Sequence, residues 1–217
     1  MCYICRMTRL LIATHNPGKQ REYEALLAKP AIGLALCWPQ ELGLTLNVSE
    51  SGATYTDNAR LKALAYAEAS ALWTLADDSG LEVDALNGAP GPHSARYGGR
   101  AMSDADRYQL VLRQLEGVPL PRRSARFRCV VVLATPSGQT YAAEGLCEGL
   151  IALQARGEQG FGYDPIFYLP GYERTMAELP GEVKNRISHR ARAVESILPT
   201  LKRLVRESLG GAQAWER

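Results

Sequence analysis

The sequence predicts an α/β protein built on a mixed β-sheet with flanking helices. Short apolar runs typical of buried strands alternate with segments of helical period in the first half of the chain. A hairpin pattern then follows around residues 136–138, where Pro, Ser and Gly separate two strand-like runs. Alternation followed by a hairpin favours a mixed sheet over a purely parallel one.

The first elements follow from local pattern. The apolar run at residues 10–14 predicts a buried strand. Apolar side chains recur with helical spacing after Pro17, so we expect a helix to open near that proline. Residues 30–48 mix short apolar stretches with proline and glycine, which indicates loops and one strand.

The alanine-rich residues 57–73 predict a helix. Its expected buried stripe consists of Leu61, Leu64, Ala65, Ala69 and Leu72. Asn58 and Lys62 are four residues apart and are therefore expected to share a different face. Residues 77–80, with the sequence DDSG, are predicted to form a turn after a short strand.

In the second half, residues 127–134 are continuously apolar apart from one arginine, which predicts a strand covered on both faces. Residues 87–93 and 157–165 are rich in glycine and are interpreted as loops. An amphipathic helix is predicted over 187–205, and Pro199 is expected to kink or split it.

Composition narrows the class of protein. Apolar residues make up 46% and charged residues 22% of the 217 residues, enough for a core and a solvated surface. The net charge of +2 is too small to indicate a protein that coats nucleic acid. No run of about 18 apolar residues occurs, so a membrane-spanning helix is not expected. The start is short and lacks a small-residue cleavage pattern, so we do not expect it to be a secretion signal. We expect a cytoplasmic protein that contacts neither membranes nor nucleic acid.

The chain shows no internal repeat or low-complexity linker, so a single domain is expected over residues 8–206. Residues 1–7 and 207–217 are interpreted as flexible termini. Five scattered cysteines do not indicate a disulfide framework. Cys2 and Cys5 have the spacing of one pair of metal-ligating cysteines in a zinc site. No second pair with ligand spacing follows, so a structural zinc site is not expected there.

Residues 14–19 could bind phosphate. A strand ends, a turn with Pro17 and Gly18 follows, and Lys19 lies in the first turn of a helix. Free backbone N–H groups, the positive helix end and an ammonium group together suit an anion. The Walker pattern is absent, and an ordinary strand-to-helix turn is the alternative interpretation.

Two adjacent carboxylates, Asp77 and Asp78, suggest a Mg²⁺ site, since this ion takes one or two carboxylates together with substrate phosphates. Neighbouring side chains on extended backbone point to opposite faces, so one of the two is expected to face a ligand. Glu50 could join the same ion. A solvated acidic turn is the alternative interpretation.

Aromatic and basic residues could complete a binding site. Lys184, His189 and Arg190 lie at the entrance of the last helix, where their side chains can reach a cleft. Phe161 lies between glycines, where its ring could stack on a planar base. The alternatives are a solvated helix face and an aromatic side chain tucked over the sheet edge.

Together these stretches resemble one family over most of the chain, from about residue 10 to residue 204. They read THNPGK at 14–19, DNARLK at 57–62, ADDSG at 76–80, GAPG at 88–91, SARY at 94–97, GFGYDP at 160–165 and ISHR at 187–190. The sequence is similar to the Ham1/RdgB, or inosine triphosphatase, family of pyrophosphatases that act on non-standard purine nucleoside triphosphates.

The resemblance implies an elongated mixed β-sheet with flanking helices, two lobes around a nucleotide cleft, and a homodimer. It also implies Mg²⁺-dependent cleavage of ITP, dITP and XTP to the monophosphate and pyrophosphate. Asp78 would be the general base and a metal ligand. The substrate-binding residues implied are Thr14, His15, Asn16, Pro17, Gly18, Lys19, Lys62, Ser79, Arg96, Phe161, Gly162, Tyr163, Asp164, Lys184, His189 and Arg190.

Two positions depart from the family pattern. Ser49 stands where a glutamate commonly ligates the metal, which leaves Glu50 or the aspartates to hold the ion. His15 replaces a glycine and could change the phosphate contacts. We also expect Arg190, a donor without acceptor capacity, to disfavour a 2-amino group on the base.

Two other functions remain compatible with these residues. A Maf-type nucleotide pyrophosphatase would prefer modified or standard pyrimidine nucleotides. A non-catalytic nucleotide or RNA binder would use the basic C-terminal helix and would show steep salt dependence. The paired aspartates favour the enzyme.

Overall fold

The computed structural model describes residues 8–28 and 33–211, with side-chain surroundings up to residue 208. The first predicted terminus and the Cys2–Cys5 pair lie outside these residues, and the second terminus does so from residue 212. The final helix continues to Gly211, beyond the predicted domain end at residue 206.

Helices and strands alternate through the first half of the chain, as expected. The strands are β1 (Thr8–Ile12), β2 (Leu34–Cys37), β3 (Trp73–Val83), β4 (Ser124–Ala134), β5 (Thr140–Ile151), β6 (Phe167–Leu169) and β7 (Arg174–Thr175). The α-helices are α1 (Pro17–Leu27), α2 (Tyr55–Ser70), α3 (Asp104–Gln114), α4 (Gly181–Ile187) and α5 (His189–Gly211).

Within the described residues the strands form one seven-stranded sheet in the order β2-β1-β3-β4-β5-β6-β7. β1 is parallel to both β2 and β3, with α1 and α2 in the connections. All later pairs are antiparallel, beginning with the long β3–β4 and β4–β5 ladders. The predicted mixed α/β sheet is therefore confirmed. Its division into two lobes stays a prediction.

The predicted turn at residues 77–80 is wrong, because β3 continues through them to Val83. Asp77, Asp78 and Ser79 pair with the apolar centre of β4, opposite Val131, Val130 and Cys129. A complete backbone ladder stabilises these residues as strand, although aspartate and glycine are poor strand formers locally. The consequence is that both carboxylates lie mid-strand rather than at a flexible end.

The predicted buried stripe of α2 is also wrong. Leu61 is 42% exposed and Ala69 is exposed, whereas a different set of residues in this helix is buried. The buried residues are Tyr55, Asn58, Ala59, Ala63, Tyr66 and Ala67. Apolar side chains lie on most sides of this helix, so periodicity alone does not select a face. Close packing on the sheet favours the alanines.

Helix α5 is continuous through Pro199, so the proline does not split it. Ala193, Val194, Ile197 and Leu201 are almost fully buried against the sheet. This burial offsets the backbone hydrogen bond that a proline removes.

Gly145 allows α5 to approach β5 closely. A Cβ atom at this position would overlap the backbone of His189 and Ala193. Since glycine has no Cβ, the first turn of α5 lies directly on the strand.

Successive residues of the central strands pack on opposite faces of the sheet. Leu10 and Val131 join α1 and α5 in one apolar cluster. Leu11 and Val130 join α2 in another. A third cluster lies around β5, β6 and the 3₁₀ turns that follow. None of the helices in the described part of the chain is long and apolar enough to span a membrane.

Candidate active site

A cavity of about 140 Å³ lies beside the middle of β3, where the predicted sequence blocks converge. The predicted residues that line it are Asn16, Lys19, Glu50, Asp78, Ser79, Phe161, Gly162, Tyr163, Asp164, Lys184, His189 and Arg190. A groove of about 300 Å³ shares Asn16, Lys19, Glu50 and Ala95 with this cavity and also contains Thr14, His15 and Lys62.

The turn between β1 and α1 is held by its own side chains. The Oδ1 atom of Asn16 accepts a hydrogen bond from the backbone N–H of Lys19 at 3.1 Å, which caps the helix. Pro17 occupies the first helical position, as predicted. A Cβ at Gly18 would overlap the Phe161 ring, so glycine permits contact between this turn and the aromatic loop.

Asp77 and Asp78 point to opposite faces of β3, as strand geometry predicts. On the α1 and α5 face, Asp77 Oδ2 lies 2.8 Å from Lys19 Nζ and 3.1 Å from Arg190 Nη2. Burial alone would raise the pKa of Asp77, but the nearby Lys19, Arg190 and Lys62 charges outweigh it and hold that pKa well below its usual range. Asp77 is therefore a structural anion.

Asp78 lies on the α2 face and lines the cavity. Its Oδ2 accepts a hydrogen bond from Asn58 Nδ2 at 3.0 Å, and its Oδ1 accepts one from the backbone N–H of Ser79 at 3.0 Å. Burial raises the pKa of Asp78, and these hydrogen bonds with the Lys19 and Lys62 charges counter it only in part. A carboxylate with a raised pKa is suited to accept a proton.

Three charged residues link α1 to the last two helices. Glu22 Oε1 lies 2.8 Å from Lys184 Nζ, and its other carboxylate oxygen is paired with Arg190. Lys184 also pairs with Asp164. Burial alone would raise the pKa of Glu22, but the positive charges of Arg190 and Lys184 outweigh it, so the pKa of Glu22 is lower than that of an ordinary glutamate.

Arg190 lines the cavity, but much of its guanidinium is paired with protein groups. Its guanidinium is almost fully buried, and three of its four terminal N–H groups are engaged by Glu22, Asp77 and Ser79 Oγ. One terminal N–H group and the buried Nε–H, which has no partner among the described residues, remain, so a contact with position 2 of a purine stays a prediction. Arg190 also ties α5 to β3 and α1.

The loop carrying Phe161 is fixed at several points. The backbone N–H of Phe161 donates to Asp164 Oδ2 at 2.9 Å, and Tyr163 Oη donates to the carbonyl of Ser94 at 2.8 Å. Lys184 Nζ lies 4.7 Å from the centre of the Phe161 ring. The ring is half-buried at the cavity, rather than fully exposed on a free loop.

His189 contributes a neutral imidazole to the cavity lining. Its ring stacks on Phe127 with the two centres 4.8 Å apart. Burial, followed by the positive charges of Arg190 and Lys184, holds the pKa of His189 well below its usual value. Its Nδ1 atom is buried and has no hydrogen-bond partner among the described residues. Such an atom is available to a ligand.

A second charged group borders the groove. Glu50 lies 2.8 Å from Lys62 Nζ and 3.2 Å from Arg96 Nη1, and Lys62 also donates to the Asp77 carbonyl at 3.0 Å. The described residues contain no cluster of three or more His, Cys, Asp or Glu side chains able to hold a metal. Asp78 and Glu50 nevertheless line the same cavity, and two carboxylates are ligands of the kind that hard divalent cations take.

The sequence pattern of the Ham1 family matches residues 10–200. The chain belongs to the Ham1 family. The predicted resemblance is thereby confirmed, and six of the seven sequence stretches that suggested it contribute residues to the cavity or the groove.

Curated relatives in this family agree along nearly their whole length. The chain is 50% identical over 196 residues to the dITP/XTP pyrophosphatase of Desulforamulus reducens, covering 90% of this chain and 96% of the relative. It is 43% identical over 196 residues to the dITP/XTP pyrophosphatase of Bacillus subtilis, covering 90% and 98%.

A solved structure supports the same assignment. The HAM1 protein from Coxiella burnetii superposes with a TM-score of 0.80 at 40% sequence identity, covering 93% of this chain and 100% of that protein.

Three buried polar features of this Ham1 site were not predicted from the sequence. They are the side chains of Glu22 and Asn58 and the ion pairing of Asp77. Glu22 lies three residues after Lys19 on the same helix face, which was the available signal. Asn58 falls within a block that resembled the family. Their partners could not be identified locally, because those lie on other elements.

Proposed function

We propose that this Ham1-family chain hydrolyses non-standard purine nucleoside triphosphates, namely dITP, ITP and XTP, to the monophosphate and pyrophosphate. The observation that carries the proposal is the cavity itself, where Asp78 lies with Lys19 and the buried cations of the C-terminal helices. The identity to dITP/XTP pyrophosphatases over about nine-tenths of the chain supports the same reaction.

The cavity and the groove would accommodate different parts of the substrate. A cavity of about 140 Å³ is smaller than the usual 300–1,000 Å³ of a small-molecule site. It would receive the base between Phe161 and His189. The triphosphate would extend into the adjoining groove, where Lys19, Lys62 and the capped end of α1 supply positive charge.

Mg²⁺ is the proposed cofactor. Asp78 and Glu50 would hold it together with phosphate oxygens, since both carboxylates line the cavity. When bound, the ion would neutralise phosphate charge. Glu50 is paired with Lys62 and Arg96 and would have to share its charge with the ion.

Asp78 would take the proton from the attacking water. Its raised pKa and its fixed position, held by Asn58 and by the backbone of Ser79, suit a general base. Lys19 would stabilise the departing pyrophosphate, and its pairing with Asp77 keeps the ammonium group at the cavity.

Base selection would depend on donors that face the 6-oxo group of hypoxanthine or xanthine. Lys184 uses two of its three N–H groups on Glu22 and Asp164, and His189 keeps one unpartnered ring nitrogen. Adenine presents a 6-amino donor there and would leave buried donors unpaired, which costs about 1–3 kcal/mol.

The deciding experiment is product analysis from dITP with and without Mg²⁺, alongside a panel of ITP, XTP, ATP, GTP and pyrimidine triphosphates. Pyrophosphate plus dIMP, formed only with the metal and preferentially from the 6-oxo non-standard purines, supports the proposal. Release of orthophosphate contradicts it, and a pyrimidine preference indicates the Maf-type activity. Homodimer formation and a cytoplasmic location stay predictions.

A further inference from the structure

We propose that Asp104, the first residue of α3, is a positioning residue that holds the Phe161–Gly162 peptide at the cavity and so sets the position of the Phe161 ring. The inference rests on the proposed function, in which that ring would stack on the base. Asp104 lines the cavity, but it lies on a different element from the loop that carries Phe161.

Both carboxylate oxygens of Asp104 have a defined partner. Oδ2 accepts a hydrogen bond from the backbone N–H of Gly162 at 3.0 Å, and Oδ1 lies 3.1 Å from Arg107 Nη1. Arg107 lies nearly one turn further along α3, and its side chain is only 11% exposed, so its guanidinium is a fixed partner. Arg107 therefore orients the carboxylate, and the other oxygen meets the loop.

The tip of the loop is a turn that Asp104 joins from outside. The N–H of Asp164 donates to the Phe161 carbonyl at 3.3 Å, and the N–H of Phe161 donates to Asp164 Oδ2 at 2.9 Å. Gly162 lies inside this turn with a φ of +62°, and its own N–H donates to Asp104. The contact therefore ties the turn to α3 at the residue directly after Phe161.

Helix α3 is a rigid support for this contact. Ser103 and Asp106 form a capping box, in which the N–H of Asp106 donates to Ser103 Oγ at 3.1 Å and the N–H of Ser103 donates to Asp106 Oδ2 at 3.2 Å. Val111 is fully buried in the apolar cluster that also contains Tyr163 of the loop. Because the capping box closes the helix end, the carboxylate of Asp104 is available for the loop.

The Phe161 ring is the group whose position depends on this contact. The ring is half-buried at the cavity. Loss of the Asp104 carboxylate would free the Gly162 peptide and weaken the stacking of a base on the ring. Asp78 and Lys19 would keep their own partners, Asn58 and Asp77. We therefore expect weaker substrate binding and an unaltered chemical step.

The test is steady-state hydrolysis of dITP with Mg²⁺ by the full chain. Asp104→Ala removes the acceptor, and its KM should rise about three- to fivefold, a modest effect because the carboxylate is 56% exposed. Its kcat should change by less than about twofold. Asp104→Asn keeps an oxygen that can accept from the Gly162 N–H, so its KM should return to within about twofold of the unaltered value.

Asp106→Ala is the matched control, because it breaks the capping box on the same turn of α3. Among the described residues, Asp106 makes no hydrogen bond to the loop, so this variant should have a lower unfolding midpoint and an unchanged KM. An unchanged KM in Asp104→Ala would overturn the inference. An equal rise in KM for both alanine variants, or a loss confined to kcat, would overturn it as well.

Calorimetric titration of IMP and of inorganic tripolyphosphate separates this inference from the proposed function. IMP carries the base without a triphosphate, so Asp104→Ala should bind IMP about three- to fivefold more weakly and tripolyphosphate equally well. If the unaltered chain releases no pyrophosphate from dITP, the proposed function fails, while the IMP titration still decides the role of Asp104. Equal IMP affinity of the two chains, or no IMP binding by the unaltered chain, would overturn that role.

Discussion

Replacing Glu22 with glutamine tests whether the buried ion pairs hold the N-terminal helix to the C-terminal helices. Glutamine keeps the shape of the side chain but removes the charge that faces Lys184 and Arg190. Both cations are more than nine-tenths buried, so bulk water cannot solvate either of them once the anion is removed. We expect a large loss of folding stability.

The magnitude follows from what each cation retains. Arg190 would keep Asp77 at 3.1 Å, and Lys184 would keep Asp164. Removing one partner of a buried pair costs about 3–5 kcal/mol, and the remaining carboxylates place Glu22→Gln near the lower end, at about 3 kcal/mol. For a chain of this size, that corresponds to a fall of about 6–12 °C in the unfolding midpoint.

The assay is thermal and urea unfolding at neutral pH, followed by circular dichroism. The matched control is Glu207→Gln, whose carboxylate pairs with Arg203 on the exposed surface of α5 and should leave the midpoint unchanged. If the free energy of unfolding of Glu22→Gln lies within about 1 kcal/mol of that of the unaltered chain, the buried pairs do not stabilise the helix packing.

Three further results are expected. Asp78→Asn should lose about 10²–10⁴-fold in turnover. Its unfolding midpoint should not fall, because burial disfavours the charged carboxylate, as the raised pKa of Asp78 indicates, and asparagine carries no charge. A variant with a lower unfolding midpoint would contradict this. The depressed pKa values of Glu22 and Asp77 contribute stability above about pH 4.5 that is lost as pH falls, so Glu22→Gln should show a shallower acid-unfolding curve. Gly145→Ala should cost about 1–3 kcal/mol in urea unfolding, while Gly171→Ala, with open space around its Cβ, should cost nothing.

Much of the fold could be predicted because its signals are local. The apolar run in β4, the turn before β5 and the periodic face of α5 each lie within a dozen or so residues and indicate their own structure. The sequence blocks likewise pointed to the residues that surround the cavity. The misassigned elements, the turn at 77–80 and the face of α2, are those in which a neighbouring strand or helix outweighs the local pattern.

The charge state of the site could not be predicted locally. Asp77 and Asp78 are adjacent in sequence and belong to the same residue type, yet burial with different partners lowers one pKa and raises the other. Asp77 is a structural anion because Lys19 and Arg190 lie opposite its carboxylate. Asp78 is the proposed base, and Asn58 lies opposite its carboxylate.

The sequence by itself determined the order of elements, the family and the residues gathered at the cavity, since periodicity, turn residues and short motifs are properties of neighbouring positions. Only the tertiary structure decided which charges meet. Glu22 and Arg190 are 168 positions apart, and their contact exists because α1 and α5 pack on the same face of one sheet. Long-range electrostatics depends on distance and burial, and both are defined only once the chain has folded.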